Sequence, residues 1–239
     1  MQIIIHMENK NGLRLPLDYG YRVSSAVYRL ASADEEYSAF LHDCGYGDDG
    51  RRYKLFTYSP LRGHYRIEDK HILFDGDLSL EVRSISGRFC EAVRSSLLTN
   101  GSVKIMDTVL PVKMTEIYDS PLTVSETDIE TVSPIVVSSS EDGRTVYYSP
   151  EDECWEQMIN LTLYRKFTAA YNEQPPSVVK FGLLGKSKKV VTRVKGIWVT
   201  AYHARLHITA DPLVTAFLYE TGLGSKNSQG FGMFSELSR

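Results

Sequence analysis

Residues 220–234 read ETGLGSKNSQGFGMF. Gly222, Gly224, Gly230 and Gly232 form two Gly-x-Gly pairs, with Ser225, Lys226 and Asn227 between them. Bare glycine lets a backbone approach a ligand closely, and successive amides can face an anion. Phosphate binding is therefore the chemistry to test. The order G-x-x-x-x-G-K-[ST] of a nucleoside-triphosphate loop fails, because Ser225 and not glycine precedes Lys226. The dinucleotide fingerprint G-x-G-x-x-G fails because Asn227 holds the third glycine's place. A helix cap at Gly222 followed by a turn accounts for one or two of the glycines. An extended polyphosphate chain such as RNA suits all four.

The other chemistry-bearing residues exclude more than they assign. His203 and His207 lie four apart, a zinc-like spacing on a helix. They fall on a strand-like stretch, where RNA-facing or structural histidines are expected. His64 and His71 fall in loop or hairpin positions. Cys44, Cys90 and Cys154 form no C-x-x-C pair, so neither a disulfide framework nor a zinc knuckle is indicated. No cluster of Asp and Glu resembles a two-metal nuclease site, and no metal or cofactor is expected. Net charge is −3, yet residues 174–210 contain no Asp or Glu. That stretch carries Lys180, Lys186, Lys188, Lys189, Arg193, Lys195 and Arg205, and leaves 20 basic against 30 acidic residues elsewhere. One segment can thus attract a polyanion, although Lys186–Lys189 also reads as a solvated turn. With 42% apolar residues the 239-residue chain can build real cores. Its apolar runs are too short to span a bilayer, its first residues do not resemble a signal peptide, and a reducing cytoplasm is the expected setting.

The elements that must position these residues follow from periodicity. In the first half, strands are predicted at 2–7, 53–58, 71–75, 77–84, 103–106 and 109–117, with a hairpin turn at Asp75-Gly76. Helices are predicted at 21–31, at 35–43 capped by Asp34, and at 87–100 stopped by Gly101. In the second half, strands are predicted at 131–138, 144–148, 177–184, 188–195, 197–209 and 231–234. One helix should start at Ser149-Pro150 and run to about Tyr171; another should run from Asp211-Pro212 to about Thr221. Both halves order their elements as an α+β ferredoxin-like βαββαβ fold. The expected domains are 1–122 and 123–239, divided near Asp119–Asp128.

At this point the residues resemble a known family. G222-L-G-S-K-N-S-Q-G-F-G232 resembles the C-terminal glycine-rich motif of CRISPR-associated repeat-RNA proteins, and the chain most resembles their processing endoribonucleases, the Cas-six family. ETVSPIVV (130–137), AYHARLHI (201–208), FLHDCG (40–45) and YKLFTYSPL (53–61) extend the resemblance over essentially the whole chain. It implies two tandem ferredoxin-like domains and metal-free cleavage of CRISPR precursor RNA within the repeat. The substrate's 2′-hydroxyl attacks the adjacent phosphate, leaving a 2′,3′-cyclic phosphate and a 5′-hydroxyl. It also implies a catalytic Tyr28, His42 and Lys54.

Those residue types suit the reaction. Histidine titrates near neutrality and can act as base or acid. Lysine offers a point charge to the extra negative charge of the phosphorane. Tyrosine, with a pKa near 10, is a poor base and better suited to support His42. Each has an ordinary alternative: Tyr28 on a helix surface, His42 at a helix end, Lys54 pointing outward from a strand. Arg51 or Arg52, in the insert GYGDDGRRY (45–53), could replace Lys54 as the cation. RNA contacts are expected from the glycine stretch and from a basic hairpin running from Lys180 to Lys195. Trp198, Tyr202 and Phe231 are candidates for base stacking, with Trp198 read as core. Expected partners are CRISPR repeat or precursor RNA; interference-complex subunits and a second copy of the chain are left open. A non-catalytic RNA-binding subunit is the alternative. A nucleotide-binding or metabolic ferredoxin-like protein is a remote third.

Overall fold

The computed structural model describes residues 1–47, 52–119 and 121–237. The first half contains β1 (Gln2–Met7), β2 (Leu13–Pro16), α1 (Gly20–Ala31), α2 (Glu35–Ala39), β3 (Phe56–Tyr58), β4 (Arg62–Glu68), β5 (His71–Ser84), α3 (Gly87–Asn100), β6 (Ser102–Ile105) and β7 (Thr108–Tyr118). The second contains β8 (Glu126–Thr131), β9 (Ser138–Glu141), β10 (Arg144–Tyr147), α4 (Trp155–Tyr171), β11 (Lys180–Leu183), β12 (Lys188–Val194), β13 (Ile197–His203), β14 (Arg205–Thr209), α5 (Pro212–Thr221) and β15 (Phe234–Glu236).

Both main sheets are antiparallel and share one order. In the first, β3 and β1 flank β5, and β7 lies beyond β1. In the second the order is β11-β14-β8-β15. Each is the four-stranded sheet of a ferredoxin-like unit, so the fold is two such α+β units in tandem. Strands β2, β4 and β6 extend the first sheet. Strand β1 alternates as a half-buried strand should: Ile3, Ile5 and Met7 are buried. Helix α1 buries Val23, Ala26, Val27 and Leu30 at helical spacing. Asp34, Ser86 and Asp211 cap α2, α3 and α5 by accepting backbone N–H groups.

Several boundaries differ from the sequence expectation. Residues 71–84 form one continuous strand, not two joined at Asp75-Gly76. The turn lies earlier, at Asp69-Lys70, both at positive φ, and it joins β5 to β4, a strand the alternation did not reveal. Strand β8 ends at Thr131, and beyond Pro134 only isolated bridges at Ile135 and Val136 remain of the expected strand 131–138. Helix α4 begins at Trp155, after a turn in which the Asp152 carboxylate accepts the Ser149 N–H. The expected strand 197–209 breaks at Ala204: β13 pairs with β12 and bridges Ile135 at Tyr202, whereas β14 joins the main sheet. The basic segment is therefore split. Lys180 lies on a strand of the main sheet, and the separate hairpin spans Lys188–His203 with its turn at Lys195-Gly196. Trp198 is 61% exposed on that hairpin, and Phe231 is buried, reversing the expected placements of both. Among the described residues, no helix is long and apolar enough to cross a membrane.

Candidate functional site

The glycine stretch is knotted around one side chain. Asn227 is buried; its amide donates to the carbonyls of Leu223 (2.9 Å) and Phe231 (3.1 Å). All four glycines have positive φ. A Cβ at Gly222 or Gly232 would lie 2.6 Å from the Asn227 amide nitrogen, and one at Gly224 would lie 2.4 Å from the Val136 carbonyl oxygen. The expectation that the glycines make room for a ligand is thus corrected: at these three positions the close neighbours are the protein's own atoms. The loop is pinned from outside as well. The Ser24 hydroxyl donates to the Ser228 carbonyl at 2.8 Å, and the Ser225 N–H donates to the Val136 carbonyl at 2.9 Å.

That docking sets Ser225–Gln229 along one wall of a cleft of about 1260 Å³. The same cleft is lined by Tyr28, His42 and Lys54, from three separate segments. Tyr28 is half-buried on α1, edge-on to Phe56 at 5.4 Å between centroids. Burial raises its pKa, partly offset by a hydrogen bond with Ser228, so the phenol keeps its proton and can donate a hydrogen bond. His42 follows α2 in a π-helical turn, Phe40–Cys44, and its side chain is 86% exposed. Its Nδ1 lies 2.7 Å from the Asp43 carboxylate. A proton shared there leaves Nε2 as the nitrogen free to accept one.

Lys54 is brought against Gly45, three residues beyond His42, by the chain around it. Gly45 closes the π-helical turn, its N–H donating to the Phe40 carbonyl at 2.6 Å. Tyr46 and Tyr53 then exchange two backbone hydrogen bonds, 2.8 and 2.7 Å, which staple the ends of the insert together. Lys54 consequently lies against Gly45: a Cβ there would be 3.0 Å from the lysine Nζ. Lys54 is not in a strand as its alternating neighbours suggest; β3 begins at Phe56. The next residue, Leu55, has a left-handed φ of 53° and is buried in the second unit's core, whereas Phe56 is buried in the first. Burial first, and then nearby Arg52, lowers the Lys54 pKa. Arg52 is exposed and donates to the Asp43 carbonyl. Arg51, the other proposed cation, lies outside the described residues.

The cleft is cationic throughout. Arg29, Arg52, Lys54, Arg165, Lys166, Lys195 and Lys226 line it together with His42, and no Asp or Glu does so among the described residues. In a chain of net charge −3 this is a strong segregation, and such a wall attracts phosphate. Of the RNA contacts expected from sequence, Gly224, Ser225, Lys226, Asn227 and Lys195 line the cleft. Gly222, Gly230, Gly232, Lys180, Lys186, Lys188, Lys189 and Arg193 do not. Arg193 instead stacks over exposed Trp198 at 5.1 Å, and Lys180 sits 3.4 Å from Glu156. His203 and His207 have different partners: the Thr131 hydroxyl at 2.9 Å, and Asp128 at 2.7 Å with Glu126 at 3.1 Å. Sequence reasoning missed Arg165, Lys166 and the serine run Ser138–Ser140, all of which line the cleft. Arg165-Lys166 offered one signal, a basic pair in the middle of a long helix.

A family model described as "CRISPR associated protein Cas6, C-terminal" matches residues 116–236, and one described as "CRISPR-associated protein Cas6, N-terminal" matches residues 14–116. The chain belongs to the Cas6 family. It is 27% identical to the CRISPR-associated endoribonuclease Cas6 1 of Methanocaldococcus jannaschii, over 98% of this chain and 91% of the relative. It is 24% identical to the CRISPR-associated endoribonuclease Cas6 of Pyrococcus furiosus, over 96% and 86% respectively. A solved structure described as CRISPR associated protein Cas6 superposes with a TM-score of 0.82 at 26% identity, covering 100% of this chain and 99% of that one. The two Cas6 family models meet at residue 116, on β7, the last strand of the first sheet. The cleft draws on both matched regions: Tyr28, His42 and Lys54 come from the first and the glycine stretch from the second.

Proposed function

We propose that this chain is an endoribonuclease that cuts CRISPR precursor RNA within its repeat, by attack of a 2′-hydroxyl on the adjacent phosphate. The observation that carries the proposal is the cleft: Tyr28, His42 and Lys54 line it with a row of cations and, among its described lining, no carboxylate. Both curated relatives are named as endoribonucleases.

In this mechanism His42 Nε2 takes the proton of the 2′-hydroxyl, with Asp43 holding Nδ1 and stabilising the imidazolium. The 2′-oxygen bonds to phosphorus, the bond to the 5′-oxygen breaks, and that oxygen takes a proton from water while the His42 imidazolium returns its own proton to solvent. The products are a 2′,3′-cyclic phosphate and a 5′-hydroxyl. Lys54 stabilises the additional charge on the phosphorane, and Tyr28, whose proton is held tightly by burial, donates to a phosphate oxygen. Lys226, Ser225, Lys195 and Arg165 hold flanking phosphates. Lys188, Lys189 and Arg193 on the projecting hairpin extend the RNA's path beyond the cleft. In this mechanism His42 moves the proton and Lys54 meets the added charge, so cleavage is expected to proceed in EDTA.

The test is incubation of the purified protein in EDTA with a panel of CRISPR repeat RNAs, each paired with versions carrying a single 2′-deoxy nucleotide. Cleavage of the normal RNA, with the version deoxy at the cut site left intact, supports the reaction. His42→Ala should slow single-turnover cleavage by about 100-fold or more while binding is retained. Undiminished cleavage by that variant sinks the site assignment. Tight binding with no cleavage of any repeat by the wild type favours a binding subunit.

A further inference from the structure

Lys166 sits in the middle of α4, 2% exposed, without a carboxylate partner among the described residues. A buried ammonium is costly unless its protons are accepted. Here all three are. The Nζ donates to the Gly222 carbonyl at 2.7 Å, to the Asn227 side-chain oxygen at 2.9 Å and to the Thr221 carbonyl at 3.2 Å. The Phe217 ring covers it at 5.9 Å. Every acceptor belongs to the end of α5 or to the glycine stretch. The side chain therefore does not tie α4 to a core; it ties α4 to one loop.

The Asn227 contact reaches furthest. The Asn227 amide nitrogen already bonds both Gly-x-Gly segments, through the Leu223 and Phe231 carbonyls. Its oxygen is the remaining polar atom, and Lys166 takes it. The lysine thus fixes the orientation of the side chain around which the loop folds. A leucine or methionine would fill the same space and leave that oxygen and two carbonyls unpaired.

We propose that Lys166 is a positioning residue for RNA binding: it clamps the glycine-rich loop so that Ser225, Lys226 and Ser228 face the bound phosphate backbone. The inference rests on the reading of the cleft as the RNA site. The clamp also places the Lys166 amine directly behind the loop, and Lys166 itself lines the cleft. Burial pushes its amine down to about 7, whereas three acceptors favour the charged form, as does a phosphate in front of the loop. The other cations named above line the same cleft, as do the titratable His42 and Tyr28.

The test uses full-length Lys166→Met and, as a milder change that keeps two donors, Lys166→Gln. The probe is a repeat RNA cleaved by the wild type, blocked by 2′-deoxy substitution at the cut site. For Lys166→Met, Kd should rise about tenfold, the effect of one lost charge-assisted contact. Single-turnover cleavage at saturating unblocked RNA should fall by less than the affinity does. Amides of Gly222–Gly230 should exchange faster in both variants while those of α4 keep their protection. A merely structural role predicts a lower melting temperature and fewer binding-competent molecules with Kd unchanged, and that result overturns the proposal. So does an unchanged loop exchange pattern in Lys166→Gln, whether or not Lys166→Met folds. A wild-type protein without affinity for any repeat RNA overturns the functional reading first and this inference with it.

Discussion

Gly224→Ala is the sharpest probe of the loop. The residue has φ of 64°, and a Cβ would meet the Val136 carbonyl oxygen at 2.4 Å and Ile135 Cγ2 at 3.0 Å. The left-handed backbone alone costs about 1–2 kcal/mol for alanine. Relief of the contact with the carbonyl needs a movement of about 1 Å, because ordinary van der Waals contact begins near 3.4 Å. That movement pulls on two hydrogen bonds to the same oxygen, from the Ser225 N–H (2.9 Å) and the Ser225 hydroxyl (3.2 Å), each worth about 1 kcal/mol net. The total is about 3–4 kcal/mol. Gly185→Ala is the matched control: φ is 95° with nothing within 4 Å, so only the backbone penalty of about 1–2 kcal/mol applies. In urea denaturation Gly224→Ala should therefore lose about 2 kcal/mol more than Gly185→Ala. It should also bind repeat RNA more weakly, because Ser225 and Lys226 move. Equal denaturation midpoints for the two variants, with unaltered RNA affinity in both, would refute the argument that the loop is held against Val136.

Arg83 is the second target. It is 2% exposed, bonded to Glu81 at 2.6 Å and to the Phe234 carbonyl at 2.7 Å, and stacked 3.7 Å from the Tyr219 ring. Arg83→Met should cost about 3–5 kcal/mol, as for a broken buried pair, towards the lower end because Arg62 still pairs with Glu81; a loss below about 1 kcal/mol in the same denaturation assay contradicts it. His203 supplies a pH signature. Burial lowers its pKa below the ordinary 6.5, so on acidification the unfolded chain takes up the proton first, and the stability present above pH 6.5 declines as pH falls below it. Urea midpoints of His203→Gln between pH 8 and 5 should fall less steeply than those of the wild type, and parallel curves would show that His203 carries no linked proton.

Much of the fold was legible because local and tertiary preferences agree. Asp34, Asp211 and Gly101 mark helix ends by chemistry that acts within four residues. Asp75-Gly76 misled because a turn signal inside a strand yields to pairing with neighbours: β2 and β4 both hydrogen-bond to that half of β5. The real turn, Asp69-Lys70, uses two non-glycine residues at positive φ and carries no such mark. Tyr53–Tyr58 alternates, but Leu55 is pulled out of register by burial in a core built from residues far along the chain. Trp198 reads as core by its type and is exposed because its hairpin stands apart from the main sheet. In the cleft, the glycines were legible as residues needing special backbone. Their reason was not, since Asn227, Val136 and Lys166 become neighbours only on folding. Arg165 and Lys166 reach the cleft from a helix whose pattern records burial and not direction.

Leu55 and Phe56 are adjacent in the chain and belong to different cores. Synthesis proceeds from the N-terminus, and folding units form as they emerge. A nascent first unit would already contain Tyr28 and His42 in their helices. Lys54 would still lack its anchor, because the core that Leu55 joins is built from the second half, Leu206, Phe217, Leu223 and Phe234 among its members. The proposed catalytic cation is therefore set in place last, by residues translated well over a hundred positions later. On the proposed mechanism, the chain gains its cutting geometry only once the second half has folded beside the first, so an unfinished copy carries the histidine without the cation that serves it.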